Sequence, residues 1–182
     1  MNVVIKTFKF LSILFSLNCL FIAKVWALDV GDKVPACLLS GINDNVTEIH
    51  LEQMKGQALY IDFWASWCGP CVKSFPYMDK LERRFKEQDF RVIAINLDEN
   101  IDDAHKFLKK RSVDFSVMQD KDQQCAKGFD VMAMPSSYLV DKQGIVQYIH
   151  LGFRSNEVSE LEAQLKKIVN IKFNHSIIQS II

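Results

Sequence analysis

Apolar and polar positions alternate along this chain with two distinct periods, and the change from one period to the other marks the elements. Ala58 to Trp64 is a short apolar run rich in aromatic and branched residues, the signature of a buried strand. Phe75, Met78, Leu81 and Phe85 then recur at helical spacing, with Lys73, Lys80, Glu82, Arg83 and Lys86 between them. Phe90 to Leu97 is a second buried strand, so strand, helix and strand make a right-handed βαβ unit with a parallel pair. Asp98-Glu99-Asn100 caps the next helix, which Ala104, Phe107 and Leu108 mark and which ends near Arg111. A short strand over Asp114 to Met118 and a short helix over Asp122 to Phe129 follow. Tyr138–Asp141 and Ile145–Leu151, joined by Lys142-Gln143-Gly144, form an antiparallel hairpin that Gly152 ends. Val158, Leu161, Leu165 and Ile168 share one face of a closing helix over Asn156 to Val169.

Ahead of these elements, Cys37-Leu38-Leu39, a turn over Gly41 to Asn45, and Val46 to Leu51 predict a small hairpin, with a helical turn over Glu52 to Lys55. The first stretch differs in kind. Lys6 and Lys9 precede an apolar run from Phe10 to Ala23, and Val25-Trp26-Ala27 puts small residues where a signal peptidase reads. Residues 1–27 are therefore expected to be a signal peptide, with an uncleaved anchor or lipoprotein processing at Cys19 as alternatives. Residues 28–169 form one domain, and 170–182 a tail that could fray, dock or meet a membrane. With 22 basic and 22 acidic residues, formal charge is zero, and no nucleic-acid footprint is implied.

Chemistry concentrates where the first buried strand gives way to its helix, at Trp67-Cys68-Gly69-Pro70-Cys71. A helix N-terminus carries unpaired N–H groups and the positive end of the dipole, which favour a thiolate. Cys68, just before the helix, is the expected nucleophile; Cys71, one turn on, is the resolving thiol, and together they form a redox-active disulfide. Pro70 fits the first helical position, and Gly69 permits a tight turn. The alternative is half of a structural zinc site, but no second Cys/His pair exists at zinc spacing. No metal or other cofactor is called for. Asp62 is a carboxylate in an apolar strand, and burial should raise its pKa. Cys37 and Cys125 look core-facing. Two buried, unpaired thiols are the favoured expectation, with a disulfide between them the less favoured one.

Asp62-Phe63-Trp64-Ala65-Ser66-Trp67-Cys68-Gly69-Pro70-Cys71 resembles the active-site segment of thioredoxins. From Val30 to Val169 the chain is similar to TlpA/ResA-type extracytoplasmic thiol–disulfide oxidoreductases, and Val30-Gly31-Asp32-Lys33-Val34-Pro35 resembles the opening of TlpA-type and peroxiredoxin-type domains. The resemblance implies a thioredoxin fold: three layers, α/β/α, around a mixed sheet, with an N-terminal β-hairpin and a helix–strand insert. It implies that Pro135 is cis and faces the cysteines, and that Met134 offers its backbone to an extended substrate. Trp67, Gly69, Pro70 and Pro135 would shape the contact surface. Asp62 matches the thioredoxin aspartate that moves the proton of the buried cysteine. Ala94 stands where thioredoxins carry a lysine, so Asp62 should be harder to ionise, and Ser74 stands where ResA-like proteins often carry glutamate.

The expected activity is reduction of disulfides in exported proteins outside the cytoplasm, with a bacterial periplasm the expected setting and apocytochrome c cysteines among the candidate substrates. A DsbD-like membrane thiol donor would supply electrons, and the N-terminus could tether the protein. The Gly-Pro dipeptide is that of thioredoxin, which favours a reductase. The alternatives are a DsbA-like oxidant and a copper carrier, for which His150 is the one histidine to consider. A peroxiredoxin is excluded because Ala65, not threonine, stands three places before Cys68.

Overall fold

The computed structural model describes residues 27–42 and 47–179. The expected signal peptide, Cys19 and most of the first hairpin's turn lie outside the described residues. Among the described residues no helix is long and apolar enough to cross a membrane.

The central strand, β3 (Ala58–Trp64), has the predicted bounds, and all its residues are buried. It can be apolar throughout because each face is covered. Ala58, Tyr60 and Trp64 enter one core, and Leu59, Ile61 and Phe63 enter the other. β3 pairs parallel with β4 (Phe90–Asn96) through the crossover helix α1 (Gly69–Phe85). Its other edge pairs antiparallel with β6 (Ser136–Val140), which continues into β7 (Val146–Leu151).

The hairpin β1 (Leu38–Gly41) and β2 (Glu48–His50) is joined to the same sheet through β5 (Ser116–Gln119). The order is β2-β1-β5-β4-β3-β6-β7, with β4 and β5 parallel. The mixed sheet is thus extended by the two expected additions, side by side on one edge.

Helix α1, α2 (Ile101–Leu108) and α4 (Val158–Gln179) cover one face. That core is dominated by aromatics: Phe75 lies edge-on to Trp64, Phe107 and Phe115, with centroids 4.8, 5.0 and 5.5 Å away. The short helix α3 (Gln124–Gly128) and the segment around Val34 cover the other face. The three layers match the expected architecture. The closing helix begins with a 3-10 turn at Ser155–Glu157 and runs to Gln179, ten residues past its expected end. No glycine or proline interrupts residues 170–179, so the backbone has no reason to leave the helix there.

One expectation needs correcting. Cys37 and Cys125 are joined as a disulfide, with Cα atoms 5.4 Å apart, rather than standing as two free thiols. Their separation of 88 residues carries no local signal. The pairing follows from topology: β1 lies antiparallel to β5, with Ser40 opposite Gln119, which returns residue 37 to the start of α3. Both sulfurs are inside the second core, on the face of the sheet opposite the Cys-x-x-Cys motif.

Candidate functional site

The β3–α1 junction holds the predicted pair. Cys68 is the N-cap of α1, and Cys71 N–H donates to Cys68 Sγ at 3.2 Å. The two sulfurs are bonded, so the site is described in its oxidised state. Gly69 is the first helical residue and Pro70 the second, one place later than expected. The shift is harmless, since the first four N–H groups of a helix all lack an intrahelical acceptor. Trp67 is 73% exposed beside Cys68 at 5%, whereas Cys71 is fully buried. A thiolate at Cys68 would meet the Cys71 N–H and the positive helix end, while Cys71 has no such access to solvent.

The approach to Cys68 is fixed by a residue that the sequence pattern placed in a helix cap rather than at the site. The buried Asp98 carboxylate accepts from Ser66 N–H at 3.1 and 3.0 Å, from Ser66 Oγ at 3.0 Å, and from Asn96 Nδ2 at 2.8 Å. Four donor contacts on one carboxylate hold the Ala65-Ser66-Trp67 turn against the end of β4. Of the expected cap Asp98-Glu99-Asn100, Asp98 turns back to Ser66 instead. Asn100, two places on, is the residue that caps α2, accepting from Asp102 N–H at 3.0 Å.

Across from this turn, the Met134–Pro135 bond is cis, as expected. Ser136 Oγ donates to Ala133 carbonyl at 2.7 Å, and Gly152 N–H donates to Pro135 carbonyl at 2.7 Å, which pins the loop to β7. Met134 and Trp67 line the same open cavity of about 480 Å³, together with Leu97, Glu99 and Gln123. Met132, two residues before Met134, is 87% exposed.

Beneath the motif lies Asp62, fully buried, on the face of β3 that α1 and Cys71 cover. Ser137 Oγ donates to Asp62 Oδ1 at 2.6 Å, and Tyr60 Oη donates to Ser137 Oγ at 2.9 Å. Asp62 Oδ2 is buried and has no hydrogen-bond partner among the described residues. Burial pushes the Asp62 pKa from 3.8 up to about 7, against the opposing hydrogen bond from Ser137. Ala94 stands directly beside Asp62 in the β3–β4 register, so no cation meets the carboxylate from that strand. Burial, and then the Asp62 charge, push the Tyr60 phenol well above its ordinary value.

Ser74 is buried one turn into α1 and donates to the Cys71 carbonyl at 2.9 Å. His150 lies on β7 opposite Ser137, with Nε2 3.4 Å from Glu157 Oε2. It is two strands over from Asp62.

A mixed sheet that presents a Cys-x-x-Cys pair at a helix N-terminus, beside a cis-proline loop, is the architecture of a thiol–disulfide oxidoreductase with the thioredoxin fold. The Redoxin family model matches residues 29–165. The thiol-disulfide oxidoreductase ResA of Bacillus subtilis is 33% identical over 135 residues, covering 74% of each chain. ResA of Bacillus cereus is 32% identical over 148 residues, covering 81% of this chain and 83% of its own. A crystal structure from Chlorobium tepidum, named for a thiol:disulfide interchange protein DsbE, superposes with a TM-score of 0.74 at 39% identity, covering 79% of this chain and 99% of that one. The chain belongs to the Redoxin family and is a relative of the ResA thiol–disulfide oxidoreductases. It is an oxidoreductase acting on disulfide-bearing proteins.

Proposed function

We propose that this protein reduces disulfides of exported proteins, with Cys68 as attacking thiolate and Cys71 as resolving thiol. The observation that carries the reading is the asymmetry of the pair: Cys68 caps α1 at the rim beside exposed Trp67, and Cys71 is fully buried behind it. In the reduced protein, Cys68 thiolate attacks one sulfur of a substrate disulfide. The substrate S–S bond breaks, a mixed disulfide forms on Cys68, and the first substrate thiolate leaves and takes a proton. Cys71 then gives up its proton and attacks Cys68 Sγ. The mixed disulfide breaks, the second substrate thiolate departs, and two electrons have passed to the substrate.

Asp62 is the base for the second step. It lies on the face of β3 that Cys71 packs against, and its pKa near neutrality lets it accept a proton from a thiol at working pH. Trp67, Gly69 and Pro70 shape the surface, and Met134, beside cis Pro135, offers its backbone to an extended substrate. Each cycle leaves the pair oxidised, so a dithiol donor must restore it, and a DsbD-like membrane protein is the class of donor the ResA likeness supports. Residues 1–27 serve as the export signal or anchor of a catalytic domain over residues 28–169, while 170–182 form its tail. An extracytoplasmic, periplasmic setting fits the second disulfide, which persists in oxidising compartments. Cysteine pairs of exported apocytochromes are the substrates this setting favours.

Reduction of insulin, together with the potential of the Cys68–Cys71 pair against glutathione, tests the reading. A potential near that of thioredoxin, about −270 mV, is expected, with activity lost in Cys68→Ser. A potential near about −120 mV would make the protein a disulfide donor instead.

A further inference from the structure

We infer that Ser137 is a positioning residue for the proton transfer: its hydroxyl, aimed by Tyr60, engages one oxygen of Asp62 and leaves the other to receive the Cys71 proton. The inference rests on the role proposed above for Asp62. A serine hydroxyl has one hydrogen to give. Tyr60 Oη donates to Ser137 Oγ at 2.9 Å, so the Ser137 hydrogen is free to point at Asp62 Oδ1, 2.6 Å away. The donors run in one direction, from phenol to hydroxyl to carboxylate. Oδ1 is thereby occupied, and Oδ2, buried and unpartnered among the described residues, is the oxygen on which a proton can sit.

The same bond matters for the charge. Asp62 is fully buried, and Ala94 brings no cation from β4. Among the described residues Ser137 therefore provides the hydrogen bond that favours the ionised carboxylate over the neutral acid, opposing burial. Without it the carboxyl would hold its proton more tightly, and a smaller fraction would be ionised to act as a base at neutral pH. An apolar residue at this β6 position would cover Asp62 equally well but leave less of it ionised at neutral pH.

Few other groups could produce the same pH response. Tyr60 from β3 and Tyr77 from α1 face this region, their rings edge-to-face at 6.4 Å, and burial raises both phenols far above neutrality. From β7, His150 stands opposite Ser137 and lies 3.4 Å from Glu157. From α1, Cys71 is the proton donor itself.

The experiment uses the full chain carrying Cys19→Ser, reduced at Cys68–Cys71 with Cys37–Cys125 still joined, and an aromatic disulfide, 5,5′-dithiobis(2-nitrobenzoate), in stopped flow. The first chromophore released reports attack by Cys68, and the second reports resolution by Cys71. Wild type should show a resolution rate that rises with pH through the ionisation of Asp62. Ser137→Ala should move that midpoint upward by about one pH unit, slowing resolution about fivefold at neutral pH, because a hydrogen bond to a charged group has been removed. Its first phase should be unchanged. Ser137→Thr, which restores the hydroxyl, should return the midpoint toward wild type. Tyr60→Phe should move it the same way by less, and it carries the test if Ser137→Ala does not fold. Asp62→Asn should abolish the pH limb. If Asp62→Asn abolishes the limb while both Ser137→Ala and Tyr60→Phe keep the wild-type midpoint, the positioning role is wrong and Asp62 acts unaided. If Asp62→Asn keeps the limb, the role of Asp62 itself fails and the positioning role falls with it.

Discussion

Replacing Asp62 with asparagine should stabilise the oxidised protein, and by an amount that depends on pH. The carboxyl is fully buried, and its pKa is raised from 3.8 to about 7, chiefly by burial. In the unfolded chain the same group ionises near its ordinary value. Between those two values the folded state holds a proton that the unfolded state has lost, so stability falls as pH rises from about 4 to about 7 and is level above that. A shift of about three units at about 1.4 kcal/mol per unit amounts to about 4 kcal/mol, a large share of the 5–15 kcal/mol typical of a domain. Asparagine keeps the shape and an oxygen for Ser137 Oγ to bond, but it never ionises. Urea unfolding of both proteins, disulfides intact, at pH values of about 4, 6 and 8 gives the test. The two curves should coincide near pH 4 and separate to about 4 kcal/mol near pH 8, with Asp62→Asn the more stable and the slope m unchanged. A constant difference across that range would show that Asp62 does not titrate there, and its use as a base would lose its footing.

Three further outcomes follow from the geometry. Replacing Cys37 and Cys125 together by alanine opens a loop spanning 88 residues, which should cost about 4–5 kcal/mol in urea unfolding while the folded variant keeps its rate of exchange at Cys68; a lost exchange rate would tie the second disulfide to the site. Gly128→Ala would put a Cβ 2.8 Å from Pro35 Cβ, in a ring that cannot swing away, so thermal unfolding should show a loss of about 1–3 kcal/mol. An unchanged Tm would mean that the segment around Pro35 yields freely. Asp98→Ala removes the acceptor for Ser66 N–H and Oγ and should both destabilise by about 1–3 kcal/mol and slow insulin reduction; reduction at the wild-type rate would show that the Trp67 turn holds its geometry without that anchor.

What the sequence made legible was local. β3 was readable to the residue because a run of seven buried positions has no competing period, and Cys68-Gly69-Pro70-Cys71 announces itself by spacing. The burial of Asp62 followed from its place in that strand. What escaped notice depended on register between distant strands. Ser137 is a small polar residue in an apolar run, and only the β3–β6 pairing sets it opposite Asp62. Asp98 reads as part of a helix cap until the end of β4 brings it beside Ser66. The Cys37–Cys125 pair needed the β1–β5 pairing to become neighbours. The end of α4 was set too early because the apolar stripe fades after Val169, although nothing there breaks a helix.

The central claim is the division of labour within the cysteine pair, and trapping tests it most directly. A Cys71→Ser variant, reduced at the active site and offered an oxidised protein substrate, cannot resolve the intermediate it forms. Peptide mapping of the product under non-reducing conditions should find one substrate chain disulfide-bonded to Cys68, with Cys37 and Cys125 still joined to each other. An unmodified Cys68, or an equal yield of adduct at Cys71 in the reciprocal Cys68→Ser variant, would contradict the account.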